Sequence, residues 1–272
     1  MKENSGLMAG KRGLVMGVAN NHSIAWGIAQ KLAAEGAELA FTFQGEAFRK
    51  RVEPLAGQLG SGMVIECDVA EPGRLDRAFD KIEEAWGGLD FAVHCVAYSD
   101  KEELKGRYVD TTPENFARTM QVSCYSFTAV AQRAAPLMKN GGSLLTLTYL
   151  GAERVVPNYN VMGVAKAALE ASVRYLAADL GPDGIRVNAL SAGPMRTIAG
   201  SAIGAARYVY KYNQLNAPLR RNVGLDDVGG AGLYLLSDLS GGVTGEVHYV
   251  DCGFHAIAVP QPEREGRASQ EA

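Results

Sequence analysis

Tyr149, Tyr159 and Lys166 are the side chains of this sequence whose types and spacing could do chemistry. Tyr159 and Lys166 are seven positions apart, which is nearly two turns of an α-helix at ~3.6 residues per turn, so the two side chains share one helix face. A lysine cation beside a phenol of pKa ~10 favours the phenolate and makes the hydroxyl a sharper hydrogen-bond donor. Aimed at an oxygen that gains negative charge during a reaction, such a donor would stabilise the transition state.

The same residues have a structural interpretation, in which tyrosines and a lysine of an amphipathic helix simply pack or face solvent. For any single pair of this kind the structural interpretation is the commoner one. The position of Tyr149 favours chemistry, because it lies at the C-terminal end of an apolar run, residues 143–150, that predicts a strand. In open α/β sheets, ligands bind at this edge.

A second signal lies at the first predicted strand, where the chain reads Gly17-Val-Ala-Asn-Asn-His-Ser23-Ile24-Ala. A glycine at a strand end, small polar residues and a helix start are what a pyrophosphate needs, because the backbone must come close and the helix N-terminus offers free N–H groups. The pattern is not G-x-G-x-x-G, so by itself it also fits an ordinary strand–helix turn. Together with the tyrosine–lysine set, it predicts a dinucleotide site.

The second and third predicted strands carry the residues expected at the adenosine end. Gln44 ends the second strand, where an acidic residue would select NAD and an arginine would accommodate the phosphate of NADP. Gln44 is neutral, which favours NADH, whereas the basic run 49–51 keeps NADPH open unless it forms a solvated helix face. Asp68 and Val69 end the third strand and are placed to hold the adenine through a carboxylate and a backbone group.

The elements that position these residues alternate between short apolar runs and amphipathic stretches. Nearly continuous apolar strands are typical of a parallel sheet covered on both faces, and strand–helix alternation indicates a doubly wound α/β fold with a mostly parallel, seven-stranded, Rossmann-type sheet in a single domain. Residues 195–216 lack strand character and predict a crossover with helical pieces, a usual place for a substrate lid. The predicted strands are 14–18, 39–43, 63–69, 91–98, 143–150, 185–191 and 245–253, and the predicted helices are 23–36, 73–87, one that Thr112 caps and Pro113 begins, 160–179 and one from Asp226.

Composition excludes several other classes of protein. The chain has 272 residues and a formal net charge of −3, so bulk electrostatics attract neither nucleic acid nor an anionic membrane. Four scattered cysteines without a C-x-x-C pair indicate reduced thiols, and four scattered histidines show no metal-ligand spacing. No apolar run reaches the ~20 residues that span a bilayer and no signal sequence is evident, so the cytoplasm is the expected location. The single domain is expected to cover 1–272, with flexible ends at 1–10 and 260–272.

From about Gly13 to Ala258 the sequence resembles the enoyl-acyl-carrier-protein reductase family, a divergent branch of the short-chain dehydrogenases. The most specific stretches are GVANNHSIAWGIA, SLLTLTYLGAERVVPNYNVMGVAKAALEASVRYLA, IRVNALSAGPMRT and SGGVTGEVHYVDCGF. Ordinary short-chain dehydrogenases carry Tyr-x-x-x-Lys, but Gly163 stands four positions after Tyr159 here. The Tyr-x6-Lys spacing marks the enoyl reductase branch.

The resemblance implies an NADH-dependent reductase that acts on the trans-2 double bond of enoyl thioesters on acyl carrier protein, the last step of the fatty-acid elongation cycle. It implies that Tyr159 donates to the thioester carbonyl, that Tyr149 lines the pocket and joins the proton-transfer network, and that Lys166 also holds the nicotinamide ribose. Ser99 is implied to contact the acyl chain, and a homotetramer is implied as the assembly. The remaining cofactor-binding residues that it implies are Gly17, Ser23, Ile24, Gln44, Asp68, Val69, Val96, Met195, Arg196, Thr197, Ile198 and Ala199.

One departure from the family pattern follows the fourth strand, where the family often has Ser-Ile-Gly-Phe-Ala and this chain has Cys95-Val-Ala97-Tyr-Ser. Ala97 adds a methyl group where aromatic inhibitors of the family pack, which predicts weaker inhibition with the reaction retained. The charged segment 100–107 leaves the acyl-chain preference open. Two other functions remain as alternatives: an ordinary carbonyl reductase, which the absent Tyr-x-x-x-Lys disfavours, and a non-catalytic dinucleotide sensor, which the tyrosine–lysine set disfavours.

Overall fold

The computed structural model describes residues 6–201 and 205–259, which fold around one seven-stranded sheet in the order β3-β2-β1-β4-β5-β6-β7. Every strand pair is parallel. The predicted α/β class is therefore confirmed, and the sheet is wholly rather than mostly parallel. The strands are β1 Arg12–Met16, β2 Glu38–Phe43, β3 Met63–Glu66, β4 Phe91–His94, β5 Gly142–Thr148, β6 Ile185–Ala192 and β7 Val247–Val250.

Helices cover both faces of this sheet, because the central strands β1, β4 and β5 are buried on both sides. Leu14 and its neighbour Val15 in β1 are both fully buried, but they belong to two separate apolar cores on opposite faces. One core is completed by α3, α5 and α6, and the other by α1, α2 and α9. The helices are α1 Ile24–Ala34, α2 Gly45–Gln58, α3 Arg74–Trp86, α4 Pro113–Met120, α5 Ser126–Ala134, α6 Asn160–Leu180, α7 Ile198–Ser201, α8 Ala206–Asn216 and α9 Leu225–Leu236.

Several elements differ from the sequence-based expectation: the third strand ends at Glu66 rather than at residue 69, and the seventh spans Val247–Val250 rather than 245–253. The fourth strand was expected to run to residue 98 but ends at His94. Beyond it, the backbone of Tyr98 is bound by the Ser123 side chain rather than by a strand, through its N–H and its C=O, each at 2.9 Å. The helix α2 was considered only as a helix face for the basic run 49–51; it spans Gly45–Gln58, and Pro54 lies inside it. Thr112 and Pro113 do begin α4 as predicted, with the Thr112 hydroxyl accepting from the Asn115 N–H at 3.3 Å.

A π-helical turn, Gln121–Tyr125, joins α4 to α5, so that residues 113–134 run as one interrupted rod. The expected crossover between β6 and α9 is present and carries α7 and α8. Within the described part of the chain, no helix is both long and apolar enough to cross a membrane. The expected flexible ends lie mostly outside the described residues, although Met8 near the start is fully buried.

Candidate active site

The predicted site residues converge on one edge of the sheet, since all seven strands are parallel and end there. From β1 the chain proceeds outward to β3, then returns to β4 on the other side of β1, so the sheet has its topological switch point between β1 and β4. In open α/β sheets, ligands bind in the crevice at this point. Gly17 follows β1 and Cys95 follows β4, so these two residues form the floor of the crevice.

Gly17 is required here for two separate reasons. Its φ angle is +95°, a backbone conformation that side-chain-bearing residues rarely adopt. A Cβ atom at this position would also lie 2.1 Å from the Cys95 carbonyl oxygen. The glycine therefore lets the first strand turn tightly against the fourth and keeps a cradle open for a dinucleotide backbone.

Ser23 shapes the turn between this cradle and α1. Its hydroxyl accepts from the N–H groups of Ala19 and Asn20 at 3.0 and 3.1 Å, and it stands at the N-cap of the helix. The first turn of α1 contains no acidic residue, so its N–H groups and partial positive charge are compatible with a pyrophosphate. Ile24 begins the helix and packs into the core beneath. The turn thus fits the group predicted for it.

Gln44 and Asp68, predicted from separate strands to meet the adenosine, lie in contact. The Gln44 Nε2 atom donates to Asp68 Oδ2 at 2.6 Å, while Asp68 Oδ1 accepts from the Ala70 N–H at 2.9 Å. Val69 is half-buried against the core, so its side chain fixes the backbone beside them. Arg49 lies on α2 and pairs with Glu53 at 2.7 Å and with Glu46 at 3.7 Å. Arg49 therefore lies on a solvated helix face, which was the alternative expectation for the basic run 49–51.

Tyr149 and Tyr159 form the centre of the site. Tyr149 directly follows β5, and Tyr159 is the N-cap residue of α6; their rings meet edge to face with centroids 5.2 Å apart. Burial raises the pKa of Tyr149 to about 12, with a further contribution from Asp251. Burial also raises the pKa of Tyr159, and the negative charges of Tyr149 and Glu170 act in the same direction. Both hydroxyls are therefore neutral donors at physiological pH.

The expected lowering of the Tyr159 pKa by Lys166 is not what the structure shows. The Lys166 side chain is buried and its Nζ atom donates to the Leu147 carbonyl oxygen of β5 at 2.8 Å. Burial lowers the pKa of Lys166 to about 8, against the opposing effects of Cys95, Cys124 and Glu170. Lys166 is thus mostly protonated at neutral pH, but its charge is directed at the end of β5 rather than at the phenol.

Glu170, four residues further along α6, holds the next residue of the same strand. The Thr148 hydroxyl donates to Glu170 Oε1 at 2.6 Å, and both residues are buried. Lys166 and Glu170 therefore attach one face of α6 to two consecutive residues at the end of β5. Sequence reasoning did not select Glu170 or Thr148. The signal was available in the i, i+4 spacing of Lys166 and Glu170.

The residues after β4 contact α4 and the π-helical turn that follows it. Val96 packs against the core, Ala97 is exposed, and Tyr98 lies under the Arg118 guanidinium at 4.5 Å. The Ser99 hydroxyl, predicted to contact an acyl chain, accepts from the Thr119 hydroxyl at 3.0 Å and from Asn115 Nδ2 at 3.3 Å. The Ser99 side chain is thus already engaged by α4.

The segment that follows β6 supplies the remaining predicted residues. Met195 packs against the core that includes Cys95, and the Arg196 guanidinium lies 4.7 Å from the centre of the Tyr210 ring. The Thr197 hydroxyl accepts from the Gly200 N–H at 2.9 Å and so begins α7. Ile198 is exposed and Ala199 follows it within this helix. Among residues 6–201 and 205–259, no group of three or more His, Cys, Asp or Glu side chains could hold a metal ion.

A wholly parallel sheet, a glycine cradle at its switch point and a tyrosine–lysine pair on the adjoining helix define a dinucleotide-dependent oxidoreductase of the short-chain dehydrogenase class. A family profile described as enoyl-(acyl carrier protein) reductase matches residues 17–255. The chain belongs to this family, as the resemblance of its motifs predicted.

Individual relatives agree over nearly the whole chain. The chain is 63% identical over 259 residues to an enoyl-acyl-carrier-protein reductase (NADH) 1 from Rhizobium meliloti, with 95% of each chain covered. A crystal structure of the Anaplasma phagocytophilum reductase in complex with NAD is 59% identical, has a TM-score of 0.91, and covers 94% of this chain and 98% of its own. The Bacillus cereus reductase with NADP+ and an indole naphthyridinone is 47% identical at a TM-score of 0.91, covering 93% and 99%.

Proposed function

We propose that this chain reduces the trans-2 double bond of enoyl thioesters on acyl carrier protein with NADH, as the last step of the fatty-acid elongation cycle. Curated relatives at 48–64% identity are named as NADH-dependent enoyl-acyl-carrier-protein reductases. The function, the enzyme class and the cofactor predicted from the sequence are therefore confirmed. The observation that carries the proposal within the molecule is the edge-to-face pair of buried Tyr159 and half-buried Tyr149 at the sheet edge where a dinucleotide would lie.

The cradle fits the cofactor by its shape and charge. Gly17, Ser23 and Ile24 would hold the pyrophosphate, Gln44 with Asp68 and Val69 the adenosine, and Val96 would lie beside the nicotinamide. Lys166 would bind the nicotinamide ribose, and residues 195–199 would close over the nicotinamide half. When bound, NADH supplies the reducing equivalent of the reaction.

The protein groups would act on the oxygen of the substrate. As the double bond is reduced, negative charge moves onto the thioester carbonyl oxygen, and a donor held in a buried site stabilises this charge more strongly than water does. Tyr159 is assigned this role because it is neutral and almost fully buried, so its proton stays available for donation. Tyr149, in edge contact with it, lines the same pocket and joins the proton-transfer network.

The neutral Gln44 supports NADH as the preferred dinucleotide. Its amide is already bonded to Asp68, and that carboxylate is unfavourable for the extra phosphate of NADPH. The Arg49 guanidinium pairs with the carboxylates of Glu46 and Glu53. Its positive charge is therefore already balanced and is less available to bind the extra phosphate of NADPH. NADPH remains the comparison to make, since the Bacillus cereus relative holds NADP+.

The assembly proposed is a homotetramer in the cytoplasm, with the enoyl group delivered by acyl carrier protein and Ser99 beside the acyl chain. Exposed aromatic side chains on the rod 113–134 and on α6 support packing between copies: Phe116, Tyr125 and Tyr175. Sedimentation velocity would test the tetramer. A single species at the mass of one chain, about 29 kDa, would contradict it.

The decisive assay follows NADH absorbance with purified protein and a trans-2-enoyl thioester, with NADPH in a parallel cuvette. We expect turnover with NADH. Turnover with NADPH alone would overturn the interpretation of Gln44. Cofactor binding without turnover would favour a carbonyl substrate or a sensor, and a ketone panel would then separate those two alternatives.

A further inference from the structure

Tyr159 stands between two residues with unusual backbone angles. Asn158 has φ +60° and Asn160 has φ +39°, both in the left-handed region, while Tyr159 itself has φ −97°. Non-glycine residues with such angles are uncommon, although asparagine tolerates them better than most. Strained backbone conformations concentrate at functional sites. The positive φ angles of the two asparagines on either side of Tyr159 therefore point to a role for one or both of them.

The two asparagines differ in what their side chains contact. The Asn160 Nδ2 atom lies 3.3 Å from the carbonyl oxygens of Glu103 and Leu104 and 3.4 Å from that of Gly106. Across residues 6–201 and 205–259, the Asn158 side chain makes no hydrogen bond. One amide group therefore stands in a cup of three carbonyls from the segment 99–107, which we name the pocket loop.

The pocket loop joins the apolar cluster around Tyr159 through Leu104. Leu104 is 5% exposed and packs in one apolar cluster with Tyr159, Val161 and Met162, with Tyr149 at its margin. An acyl chain whose thioester carbonyl meets Tyr159 would lie near this cluster. The position of Leu104 relative to the Tyr159 hydroxyl therefore bears on how the substrate is aligned.

The other end of the pocket loop is held by α4. Glu103 accepts from the Thr112 hydroxyl at 2.7 Å and from Asn115 Nδ2 at 3.1 Å, and Asn115 Oδ1 accepts from the Asp100 N–H at 2.9 Å. These bonds fix the loop to α4 but not to α6. Asn160 supplies the polar link between the loop and the helix that carries Lys166 and follows Tyr159, beside the apolar packing of Leu104.

We propose that Asn160 is a positioning residue, whose amide ties the pocket loop to Tyr159 so that the acyl chain and the proton donor are held in one alignment. This inference rests on the proposed function, because it concerns the same substrate. Asn160 itself acts through the loop and touches no reacting atom. The pocket loop carries several charged side chains, which favour water over the protein interior. The Asn160 amide therefore holds in place a segment that would otherwise tend to move into solvent.

The variant Asn160→Gly tests the amide separately from the backbone, since glycine adopts φ +39° without strain. Asn158→Gly is the matched control, because it makes the same change on the other side of Tyr159. Hydrogen exchange of the Leu104 and Lys105 amides, which bond to Asp100 and Glu102 within the loop, reports the anchoring without any need for activity. We expect several-fold faster exchange of these amides in Asn160→Gly and no change in Asn158→Gly.

The kinetic readout compares a dodecenoyl with a crotonyl thioester. A loosened loop should lower kcat/KM for the long chain about two- to tenfold, the range of one net hydrogen bond, with a smaller effect on the four-carbon chain and unchanged NADH affinity. Equal losses on both substrates, equal effects of the two glycine variants, or unchanged exchange would each overturn the proposal. If the wild-type enzyme were inactive on both thioesters, the proposed function would be refuted instead. The hydrogen-exchange result would then still test whether Asn160 holds the pocket loop.

Discussion

Replacing Tyr159 with phenylalanine removes one hydroxyl and little else. The Tyr159 ring is 7% exposed, and its edge contact with Tyr149 and its packing with Leu104 depend on the ring and not on the oxygen. Within the described residues the hydroxyl makes no hydrogen bond, so its loss strands no partner. The free energy of unfolding should therefore change by less than about 1 kcal/mol, within the range of an isosteric change.

Catalysis should respond far more strongly than stability. Removing one donor from a buried oxyanion site costs about 2.7–4 kcal/mol of transition-state stabilisation, or roughly 10²–10³ in kcat. Because Tyr159 is assigned to the substrate and not to the cofactor, the dissociation constant for NADH should be unchanged. A fall in kcat at constant NADH affinity is the signature of an interaction made mainly in the transition state.

The assay is NADH oxidation at saturating enoyl thioester, with NADH binding followed separately by fluorescence. Tyr149→Phe is the matched control, since it removes the same atom from the other ring of the pair. We expect a smaller loss of kcat for Tyr149→Phe than for Tyr159→Phe. Full turnover of Tyr159→Phe, or a larger loss in Tyr149→Phe, would refute the assignment of the donor.

The remaining predictions concern Lys166, Gly163 and Ala97. Because burial lowers the pKa of Lys166 to about 8, NADH affinity should fall as pH rises through that value. Glu170→Gln removes a negative charge that raises this pKa, so in this variant the fall should occur at lower pH. NADH titrations that coincide for the two proteins would contradict this prediction. Gly163→Ala should lower the free energy of unfolding by about 1–3 kcal/mol, because its Cβ atom would lie 2.8 Å from the Gly151 carbonyl oxygen and overpack the site. Urea unfolding measures this loss. An unchanged midpoint would show that the turn 150–152 shifts to make room for the methyl group. Ala97→Gly should strengthen inhibition by a pocket-filling aromatic compound without changing turnover, and equal inhibition of both proteins would remove that idea.

Much of this fold was predictable because a parallel sheet has an unusually clear sequence pattern. Runs such as 143–150 and 185–191 are apolar on both faces, and their observed strands differ from the prediction by one or two residues. Boundaries were less predictable where side chains distant in sequence bind the backbone. Nothing near Tyr98 in the sequence indicates that Ser123, in the π-helical turn, would bind its N–H and its C=O.

The roles assigned to the site residues stay predictions, but their gathering at one edge of the sheet was predictable and their contacts were not. Strand ends and the nucleotide turn indicate which residues gather at one edge, because parallel strands place their C-termini together. The partner of each polar group depends on packing that the sequence does not display. Lys166 was expected to act on Tyr159, but its Nζ atom donates to the Leu147 carbonyl oxygen. Ser99 was expected to lie near an acyl chain, and its bonds to Thr119 and Asn115 were not foreseen.

The Tyr-x6-Lys spacing can be explained by the face of α6 on which Tyr159 and Lys166 lie. Residues 159, 163, 166 and 170 recur at helical spacing and so face the same way. At position 163 the backbone of Gly151 approaches so closely that even a methyl group would meet its carbonyl oxygen, and a Cβ at Gly151 would lie 2.4 Å from the Tyr159 ring. A lysine four residues after the tyrosine therefore has no room in this structure. One turn further along, Lys166 clears the obstruction and reaches the end of β5, so the glycines that seat Tyr159 also require the longer spacing.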